Sequence, residues 1–521
     1  MQVSTKADSF RDNGTINESS ETRNRPMSGF KEGKEKVLII GSGIGGLSTG
    51  IILAKLGFQV SVIEKNQQSG GMVRGYIRRG VQCSVGLHYL GALDQGQVLR
   101  RCFDFLGITD RLPLIRMGVD GPVDRYLFPD RSFGIESFDM PAGFEAYESA
   151  LKTAFPDQRK QVDALMALLR RSADQFDRLP FLYSEHMSED WFDQTAPLGT
   201  IFKQIGCSPG LQAVFGLPSI LIGVPPAICP QFYHTMTLAS YLMSSWRLKG
   251  SGTALAEACA QRLIALGGNL RTGEAVAHIR AGDGQVRGVT LDSGEILEAS
   301  IVISTIHPKG MIELLNPEVI KPSYRRRIAG LKDTPGMMAV HALVPADRHP
   351  ALLHNVNLVQ SSPDGSLEDL IFMQLRPSDL PGQNLLTLIT SGHNAVWDDW
   401  KLTRTGRRGP GYIQKKRELA QELIKRTENS VGPFHGLQIL DVFTPLTIRD
   451  WVNSPEGSAY GVMRSSGQLL SASLLNRTSL RGLFLAGQSV LSPGILGTTL
   501  GSFTTVKSIV GPKRFLQEVR I

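Results

Sequence analysis

Residues 36–64 read KVLIIGSGIGGLSTGIILAKLGFQVSVIE, and this stretch decides the fold. Its apolar run up to Gly41 predicts a buried parallel strand, and residues 47–56 predict a helix that stops at Gly57. Residues 58–63 then predict a second strand. A strand, a helix and a second strand in this order form a βαβ unit, so the sequence predicts an α/β fold.

The turn between the first strand and the helix reads GSGIGG and matches the GxGxxG pattern of dinucleotide-binding folds. Gly41 permits the tight turn, Gly43 lets the backbone approach a pyrophosphate, and Gly46 allows the helix to pack closely on the strand. The helix N-terminus offers N–H groups and the positive end of its dipole to the phosphates. Glu64, 23 residues after Gly41, can accept hydrogen bonds from ribose hydroxyls. Together these features predict a dinucleotide site.

A second glycine-rich pattern stands near the other end of the chain. Residues 482–489 read GLFLAGQS, which predicts a buried strand that opens into a turn. Residues 493–497 read PGILG and precede a predicted helix over residues 498–510. A chain that returns to the nucleotide site so late suits a large, extended cofactor, and this favours FAD over NAD.

Two further segments, GG at 70–71 and GLHYLG at 86–91, complete the set of motifs. Together with Gly41–Gly46, Glu64 and residues 486–497, they resemble the carotenoid desaturase, carotenoid isomerase and retinol saturase family of FAD-dependent oxidoreductases. The GLHYLG segment looks most like the retinol saturases.

The resemblance implies an α/β fold of the amine-oxidase and phytoene-desaturase type. In this plan a discontinuous Rossmann-type FAD-binding domain carries a second, mixed α+β substrate domain with an apolar tunnel. The FAD-binding domain is expected from residues 37–135, 248–310 and 475–515, and the substrate domain from residues 136–247 and 311–474. Residues 1–36 are polar, of mixed charge and without an apolar core, which predicts a flexible leader.

The resemblance also implies which residues surround FAD. Met72 stands where the family usually has an arginine, and Arg74 is close enough in sequence to supply a replacement charge. By motif position, the cofactor-binding residues are expected to be Gly41, Gly43, Ile44, Gly45, Gly46, Glu64, Lys65, Gly71, Met72, Arg74, Gly86, Leu87, His88, Val276, Gly487, Gln488, Gly494, Ile495 and Gly497.

The catalytic candidates follow from what flavin chemistry leaves to the protein. The flavin carries the electrons, and the protein orients the substrate carbon. Saturation of a double bond also consumes a proton, so a donor acid is useful. His88 and Tyr89 lie in the motif that the resemblance places near the flavin, and Tyr460 lies among glycines in a segment expected to face the ring. Tyr233, His234 and Tyr460 are the expected substrate contacts.

The predicted function is an FAD-dependent oxidoreductase acting on carbon–carbon double bonds of a hydrophobic isoprenoid or polyene, as in retinol saturases or carotenoid isomerases. A phytoene-type carotenoid desaturase is the alternative. A flavin amine oxidase shares the two-domain plan, but the C-terminal quarter shows no paired aromatic cage. A non-catalytic prenyl-binding protein of the same fold would not need the full set of phosphate-binding glycines. No Ser-His-Asp order, HExxH or paired-carboxylate pattern indicates a hydrolase.

One stretch, residues 205–245, contains no Asp, Glu, Lys or Arg. Its prolines and glycines break any single membrane helix, and no window of 18 apolar residues occurs in the chain. The stretch predicts either a buried helix pair or the lining of an apolar tunnel whose mouth contacts a bilayer.

Charge and cysteine content bear on partners. The net charge of +8 and the basic cluster over residues 401–417 suit either a solvated face or anionic head groups. No aromatic residues interleave with these charges, which argues against nucleic acid. Five separated cysteines without a CxxC pair predict no metal site and a cytoplasmic location. Peripheral membrane contact is the expectation that the basic cluster and the uncharged stretch add. Without a second GxGxxG unit, the electron donor or acceptor is expected to be external.

Overall fold

The computed structural model describes residues 35–131, 133–183, 195–361, 367–472 and 475–521. Nearly all of the predicted leader, residues 1–36, lies outside the described residues. The described strands are β1 (Lys36–Ile40), β2 (Gln59–Glu64), β3 (Gly75–Arg78), β4 (Val81–Ser84), β5 (Leu90–Gly91), β6 (Leu114–Arg116), β7 (Asp124–Leu127), β8 (Ser137–Met140), β9 (Ser245–Leu248), β10 (Asn269–Thr272), β11 (Val276–Gly282), β12 (Gln285–Leu291), β13 (Ile296–Glu298), β14 (Ile301–Ser304), β15 (Met337–Pro345), β16 (Asn355–Ser361), β17 (Leu367–Pro377), β18 (Gln383–Ser391), β19 (Gln438–Phe443) and β20 (Leu483–Leu485).

The helices alternate with these strands in the first and last parts of the chain and cluster between β8 and β9. They are α1 (Ile44–Lys55), α2 (Val98–Leu106), α3 (Phe144–Ala154), α4 (Arg159–Asp177), α5 (Pro180–Tyr183), α6 (Leu198–Ile205), α7 (Pro209–Gly216), α8 (Gln231–Met243), α9 (Thr253–Ala265), α10 (Pro308–Glu313), α11 (Pro322–Ala329), α12 (Gly409–Val431), α13 (Pro445–Val452), α14 (Leu469–Ala472), α15 (Gly494–Val510) and α16 (Pro512–Glu518).

Five parallel strands form the nucleotide-binding sheet, in the order β10-β2-β1-β14-β20. The N-terminal βαβ unit supplies β1 and β2, whereas β14 and β20 come from distant parts of the chain. Parallel strands buried on both faces read as continuous apolar runs, and all four residues of β14 are buried. The predicted discontinuous α/β fold is therefore confirmed.

Helix α1 covers this sheet and begins three residues earlier than the pattern predicts, because Gly43 already acts as its N-cap in extended conformation. Helix α15 packs beside α1, and the Ser502 hydroxyl donates a hydrogen bond to the Gly45 carbonyl at 3.1 Å. It begins at Gly494, four residues before the predicted start. The two glycine motifs thus lie against each other.

A seven-stranded sheet, in the order β19-β15-β18-β17-β16-β7-β8, forms the second layer of the molecule. Strand β7 pairs in parallel with β16, with Asp124 opposite Asn355. Strands β7 and β8, which lie on either side of the boundary expected at residue 135, therefore both belong to this sheet. The partner residue lies 231 positions along the chain, beyond the reach of any local pattern.

The uncharged stretch over residues 205–245 contributes some residues to an apolar core and others to cavity walls. Proline starts α7 and glycine stops the turn of 3₁₀ helix over Leu217–Ile222, so no long helix forms. Many of its residues, including Phe215, Leu217 and Leu238, are buried with α3 and α4 in one apolar cluster. Others line cavities, so the buried-core and tunnel interpretations each describe a part of the stretch.

The contact between helix α1 and the turn before it gives a stability prediction. A Cβ atom on Gly46 would stand 2.0 Å from the Gly41 carbonyl oxygen, so Gly46→Ala forces the helix off the strand. We expect the free energy of unfolding to fall by about 3 kcal/mol. Gly467→Ala is the control, because no atom lies within 4 Å of its Cβ position. Equal urea midpoints for the two variants would contradict this packing.

Candidate active site

A cavity of about 960 Å³ opens where the parallel strands meet α1. Its size stands at the upper end of the usual range for ligand cavities, about 300–1,000 Å³. Most of the predicted cofactor-binding residues line it, from both ends of the chain, namely Gly41, Gly43, Ile44, Gly45, Glu64, Lys65, Gly71, Met72, Gly86, Leu87, His88, Val276, Gly487, Gln488, Gly494 and Ile495.

The glycine turn is shaped for a ligand on one side and for packing on the other. Nothing lies within 4 Å of a Cβ built on Gly43, and this residue faces the cavity at the α1 N-terminus. A Cβ on Gly45 would stand 2.5 Å from the Gly487 Cα atom. Thr305 holds the turn from behind, because its hydroxyl donates to the carbonyls of Ile40 and Gly41 at 2.9 and 3.0 Å. No motif pointed to Thr305.

Glu64 lies at the carboxyl end of β2 and is only 6% exposed. Its Oε2 accepts hydrogen bonds from the Ser42 amide and hydroxyl, at 2.9 and 2.8 Å. Its Oε1 accepts from the amide and side chain of Asn66, at 2.9 and 2.7 Å. These four bonds use the whole acceptor capacity of a carboxylate. A ribose hydroxyl would therefore replace one of the two side-chain donors.

Three predicted cofactor residues do not line this cavity. Gly46 packs on Gly41, which is the role that the motif gives it. Gly497 lines a second cavity instead. Arg74 was expected to supply a charge near the cofactor, but its guanidinium donates to the Gln68 carbonyl and lies over the Trp451 ring, 5.2 Å from the ring centroid. Burial also lowers the pKa of Arg74.

These features fit FAD. The open Gly43 and the α1 N-terminus suit a pyrophosphate, and Glu64 is placed for the ribose. Residues Gly487 and Gln488 bring the second motif to the same cavity. Its extension past His88 and Tyr460 leaves space for an isoalloxazine ring and a substrate.

A second cavity of about 300 Å³ adjoins the first. The two share the lining residues Tyr89, Tyr241 and Ile222, together with Gly494 and Ile495 of α15. The rings of Tyr89 and Tyr241 stack with their centroids 4.3 Å apart. We call this stacked pair the tyrosine neck. The walls beyond the neck are mainly apolar, with Phe176, Phe181, Phe232, Met236, Leu491 and Leu500 among them.

The three catalytic candidates, His88, Tyr89 and Tyr460, all line the larger cavity. Burial, reinforced by the nearby His341 and Arg376, lowers the pKa of His88 to about 3. Its imidazole is therefore neutral at ordinary pH and a poor source of protons. Burial raises the pKa of Tyr460 to about 12, and burial together with Asp124 raises the pKa of Tyr89 well above its ordinary value.

Of the three predicted substrate contacts, Tyr233 and Tyr460 line cavities and His234 does not. Tyr233 lines the second cavity, and its hydroxyl donates to the Leu491 carbonyl at 2.7 Å. His234 is fully buried outside both cavities, with its ring centroid 5.2 Å from that of Phe215. Neither ring nitrogen has a hydrogen-bond partner among the described residues, and burial lowers the pKa of His234 to about 3. Tyr233 and His234 are consecutive residues of one helix, so their side chains point in different directions. Tyr233 faces the cavity and His234 does not, and the structure therefore does not support His234 as a substrate contact.

The aromatic lining was only partly foreseen. Tyr241 and Phe372 reach the larger cavity from α8 and β17, and neither stood in a recognisable motif. Both residues lie outside the C-terminal quarter of the chain, where an aromatic cage was expected in an amine oxidase. The lining from residues 220–241, from the seven-stranded sheet and from residues 445–460 contains no Asp or Glu among the described residues. A cationic amine would find no carboxylate there.

Among the described residues, no helix combines the length and apolarity that a membrane crossing requires. No cluster of three or more His, Cys, Asp or Glu side chains within the same ranges could hold a metal ion.

Comparison with known proteins agrees with this geometry. The family model described as flavin containing amine oxidoreductase matches residues 44–500. An all-trans-retinol 13,14-reductase of Macaca fascicularis is 23% identical over 538 aligned positions, which cover 92% of this chain and 86% of the relative. A 4,4'-diapophytoene desaturase of a Methylomonas species is 26% identical over 55% of this chain and 56% of its own. The expected resemblance to retinol saturases and carotenoid desaturases is confirmed.

Solved structures show the same fold. An oxidoreductase from Methanosarcina mazei superposes with a TM-score of 0.63 and 16% identity, over 91% of this chain and all of its own. Such a low identity supports the architecture alone.

The glycine turn gives a prediction about the cofactor. Gly43→Val adds a branched side chain on the cavity side, where no protein atom is in the way, so the fold should persist while the pyrophosphate is excluded. We expect FAD affinity to fall at least about tenfold, equivalent to about 1.4 kcal/mol. The check is the flavin absorbance retained after desalting, beside the thermal midpoint of the flavin-free proteins. Full flavin content in Gly43→Val would place the phosphates elsewhere.

Proposed function

Because this chain belongs to the family of flavin-containing amine oxidoreductases, we propose that it is an FAD-dependent oxidoreductase acting on carbon–carbon double bonds of a hydrophobic isoprenoid or polyene. The observation that carries the proposal is the tyrosine neck, Tyr89 and Tyr241, which joins a cofactor-sized cavity to an apolar chamber. Relatives named for retinol reduction and carotenoid desaturation support this substrate class.

The apolar chamber suits an elongated hydrocarbon. Burial of apolar surface stabilises a bound chain by roughly 25 cal/mol per Å². A polyene running beside the neck would lie along aromatic rings, including that of Phe372, whose centroid lies 6.3 Å from that of Tyr89. The absence of a carboxylate from the described lining in this region favours such a substrate over an amine.

Bound FAD supplies two-electron transfer of hydrogen to or from a carbon–carbon bond. The residues of this chain divide the remaining work. The open backbone at Gly43 and the α1 N-terminus hold the phosphates, and Glu64 holds the ribose. The apolar walls orient the substrate and exclude water. Tyr89 and Tyr460 are the phenols available to move a proton at the reacting carbon.

Saturation is the proposed direction, since the retinol reductases match this chain over nearly its whole length. Desaturation of a carotenoid is the second candidate, because matching carotenoid desaturases cover 55% and 66% of this chain. The described residues contain one GxGxxG turn, so the electron donor or acceptor is proposed to be an external molecule.

We also propose peripheral contact with a membrane surface. Leu402 is 93% exposed and stands beside the exposed cations Lys401, Arg404 and Arg407. The Arg449 guanidinium stabilises this loop by donating hydrogen bonds to the carbonyls of Lys401 and Thr403. An apolar side chain amid cations suits a bilayer with anionic lipids.

The location of the protein is proposed from its thiols. All five cysteines are buried and free, which fits a reducing compartment and supports a cytoplasmic location.

The enzymatic proposal is tested with the purified, flavin-loaded protein. Under a chemical reductant, all-trans-retinol should lose one double bond, and its absorbance should shift as conjugation shortens. Incubation of the oxidised protein with phytoene-type carotenes tests desaturation, and incubation with putrescine tests amine oxidation. Peroxide production from the amine, with both polyenes left intact, would contradict the proposal.

The membrane proposal is tested by co-sedimentation with vesicles. Wild-type protein should bind vesicles that contain anionic lipid more strongly than neutral ones, and added salt should weaken this binding. Leu402→Ser should reduce binding several-fold, whereas Leu353→Ser, at another residue that is 62% exposed, should leave it unchanged. An equal loss of vesicle binding in both variants would show that the basic loop is not the membrane contact.

A further inference from the structure

A buried polar cluster lies behind the tyrosine neck, outside the lining of both cavities. At its centre is Asp124, at the start of β7, which is 1% exposed. The Tyr89 hydroxyl donates to Asp124 Oδ2 at 3.2 Å, and the Asn355 side-chain amide donates to Oδ1 at 2.7 Å. The carboxyl group therefore touches one residue that faces the cavity and one that does not.

Within the described ranges, no cation contacts the Asp124 carboxyl group directly. Arg247 is also buried, but its guanidinium donates to Asn355 Oδ1 at 2.7 Å and to the Leu352 carbonyl at 2.6 Å. Asn355 thus stands between the two charges, and Asp124 forms no salt bridge among the described residues. A direct pair with arginine would hold the carboxyl ionised, whereas this arrangement leaves it free to take up a proton.

The same cluster fixes the backbone beside Tyr89. Gln374 on β17 donates from its side-chain amide to the His88 carbonyl at 3.3 Å and to Asn355 Oδ1 at 3.2 Å. On the other side, Leu90 of β5 pairs with Trp246 of β9. The phenol of Tyr89 is therefore held between the cavity and Asp124 by contacts on both flanks.

We propose that Asp124 is a positioning residue that keeps Tyr89 supplied with the proton it delivers to the substrate. This inference rests on the proposed function and adds to it the path of the proton. Bound reduced flavin would supply a hydride, that is two electrons and one proton, to one carbon of the double bond, and the other carbon would gain a proton from the Tyr89 oxygen. The Tyr89 oxygen regains a proton from Asp124 Oδ2, which is left as a carboxylate. In desaturation each transfer runs in reverse.

The surroundings of Asp124 set the pH range of this exchange. Burial raises the pKa of Asp124 to about 6, against the opposing effects of hydrogen bonds from Asn355 and Tyr89 and of the Arg247 charge. The carboxyl is therefore protonated below about pH 6 and ionised above it. The titratable or charged groups that face it from the neighbouring elements are Tyr89, Tyr126, Tyr241 and Arg247.

The first test needs no substrate. Infrared spectra of the flavin-loaded protein between about pH 5 and pH 8 should contain a protonated-carboxyl band that fades as the pH passes 6. Asp124→Asn should remove this band. Tyr89→Phe should move its midpoint upward, because it removes a hydrogen bond that lowers the pKa of Asp124. A wild-type spectrum identical to that of Asp124→Asn, or a midpoint unmoved in Tyr89→Phe, overturns the proposal.

Asp139→Asn is the matched control. Asp139 lies on the adjacent strand β8 and makes two hydrogen bonds with Arg125, at 2.7 and 2.8 Å, on the exposed side of the hairpin. This variant should keep the infrared band and full activity. Flavin content and thermal midpoint, measured on each variant, show that the fold persists.

The second test measures turnover of the polyene. Wild-type kcat should fall as the pH rises through 6. Asp124→Asn should lower kcat about 100-fold, the scale of general acid catalysis, with KM unchanged because Asp124 does not line the cavities. An unchanged kcat and pH profile in Asp124→Asn overturns the relay while the proposed function stands. If the infrared titration appears but no polyene reacts, the proposed function fails and the exchange between Asp124 and Tyr89 stands.

Discussion

The close approach of two backbones at Gly45 and Gly487 is the contact on which the rest of the structure depends. A Cβ atom at Gly45 would stand 2.5 Å from the Gly487 Cα atom. The two glycine motifs can therefore approach this closely only because Gly45 has no side chain. This contact brings α15 against α1 and places β20 at the edge of the parallel sheet. The cofactor cavity is built from both ends of the chain as a result. The chain between the two motifs supplies the other strands of the parallel sheet, β2, β10 and β14, together with the seven-stranded sheet.

The elements between the two motifs place a second, mainly apolar cavity beside the cofactor cavity. Residues 88–91 include β5, which belongs to the three-stranded sheet β5-β9-β6, and three other elements hold them. Gln374 bonds to the backbone, Asp124 to the Tyr89 hydroxyl, and β9 to the strand that follows. Buried polar networks of this kind fix one orientation, because any unpaired member is costly. The hydroxyl group and backbone of Tyr89 are therefore held in one orientation where the two cavities meet.

Local pattern was enough for the parts of the site that lie close in sequence. The spacing from Gly41 to Glu64 predicted the phosphate turn and the ribose acceptor, because one βαβ unit places both. It did not predict that Ser42 and Asn66 would occupy all four acceptor positions of Glu64. Arg74 stood near the motif in sequence, and its cation packs over Trp451, a residue of the cavity lining.

The sequence by itself determined the nucleotide-binding fold and the presence of two motifs for one cofactor, because glycine spacing and apolar periodicity are local properties of the backbone. The tertiary structure alone decided which polar residues stand behind the site. Asp124 and Asn355 are 231 positions apart and meet only through the parallel pairing of β7 and β16. Tyr241 likewise reaches Tyr89 from a different element. Such contacts depend on how sheets and helices pack, and no pattern within a short window of the chain records them.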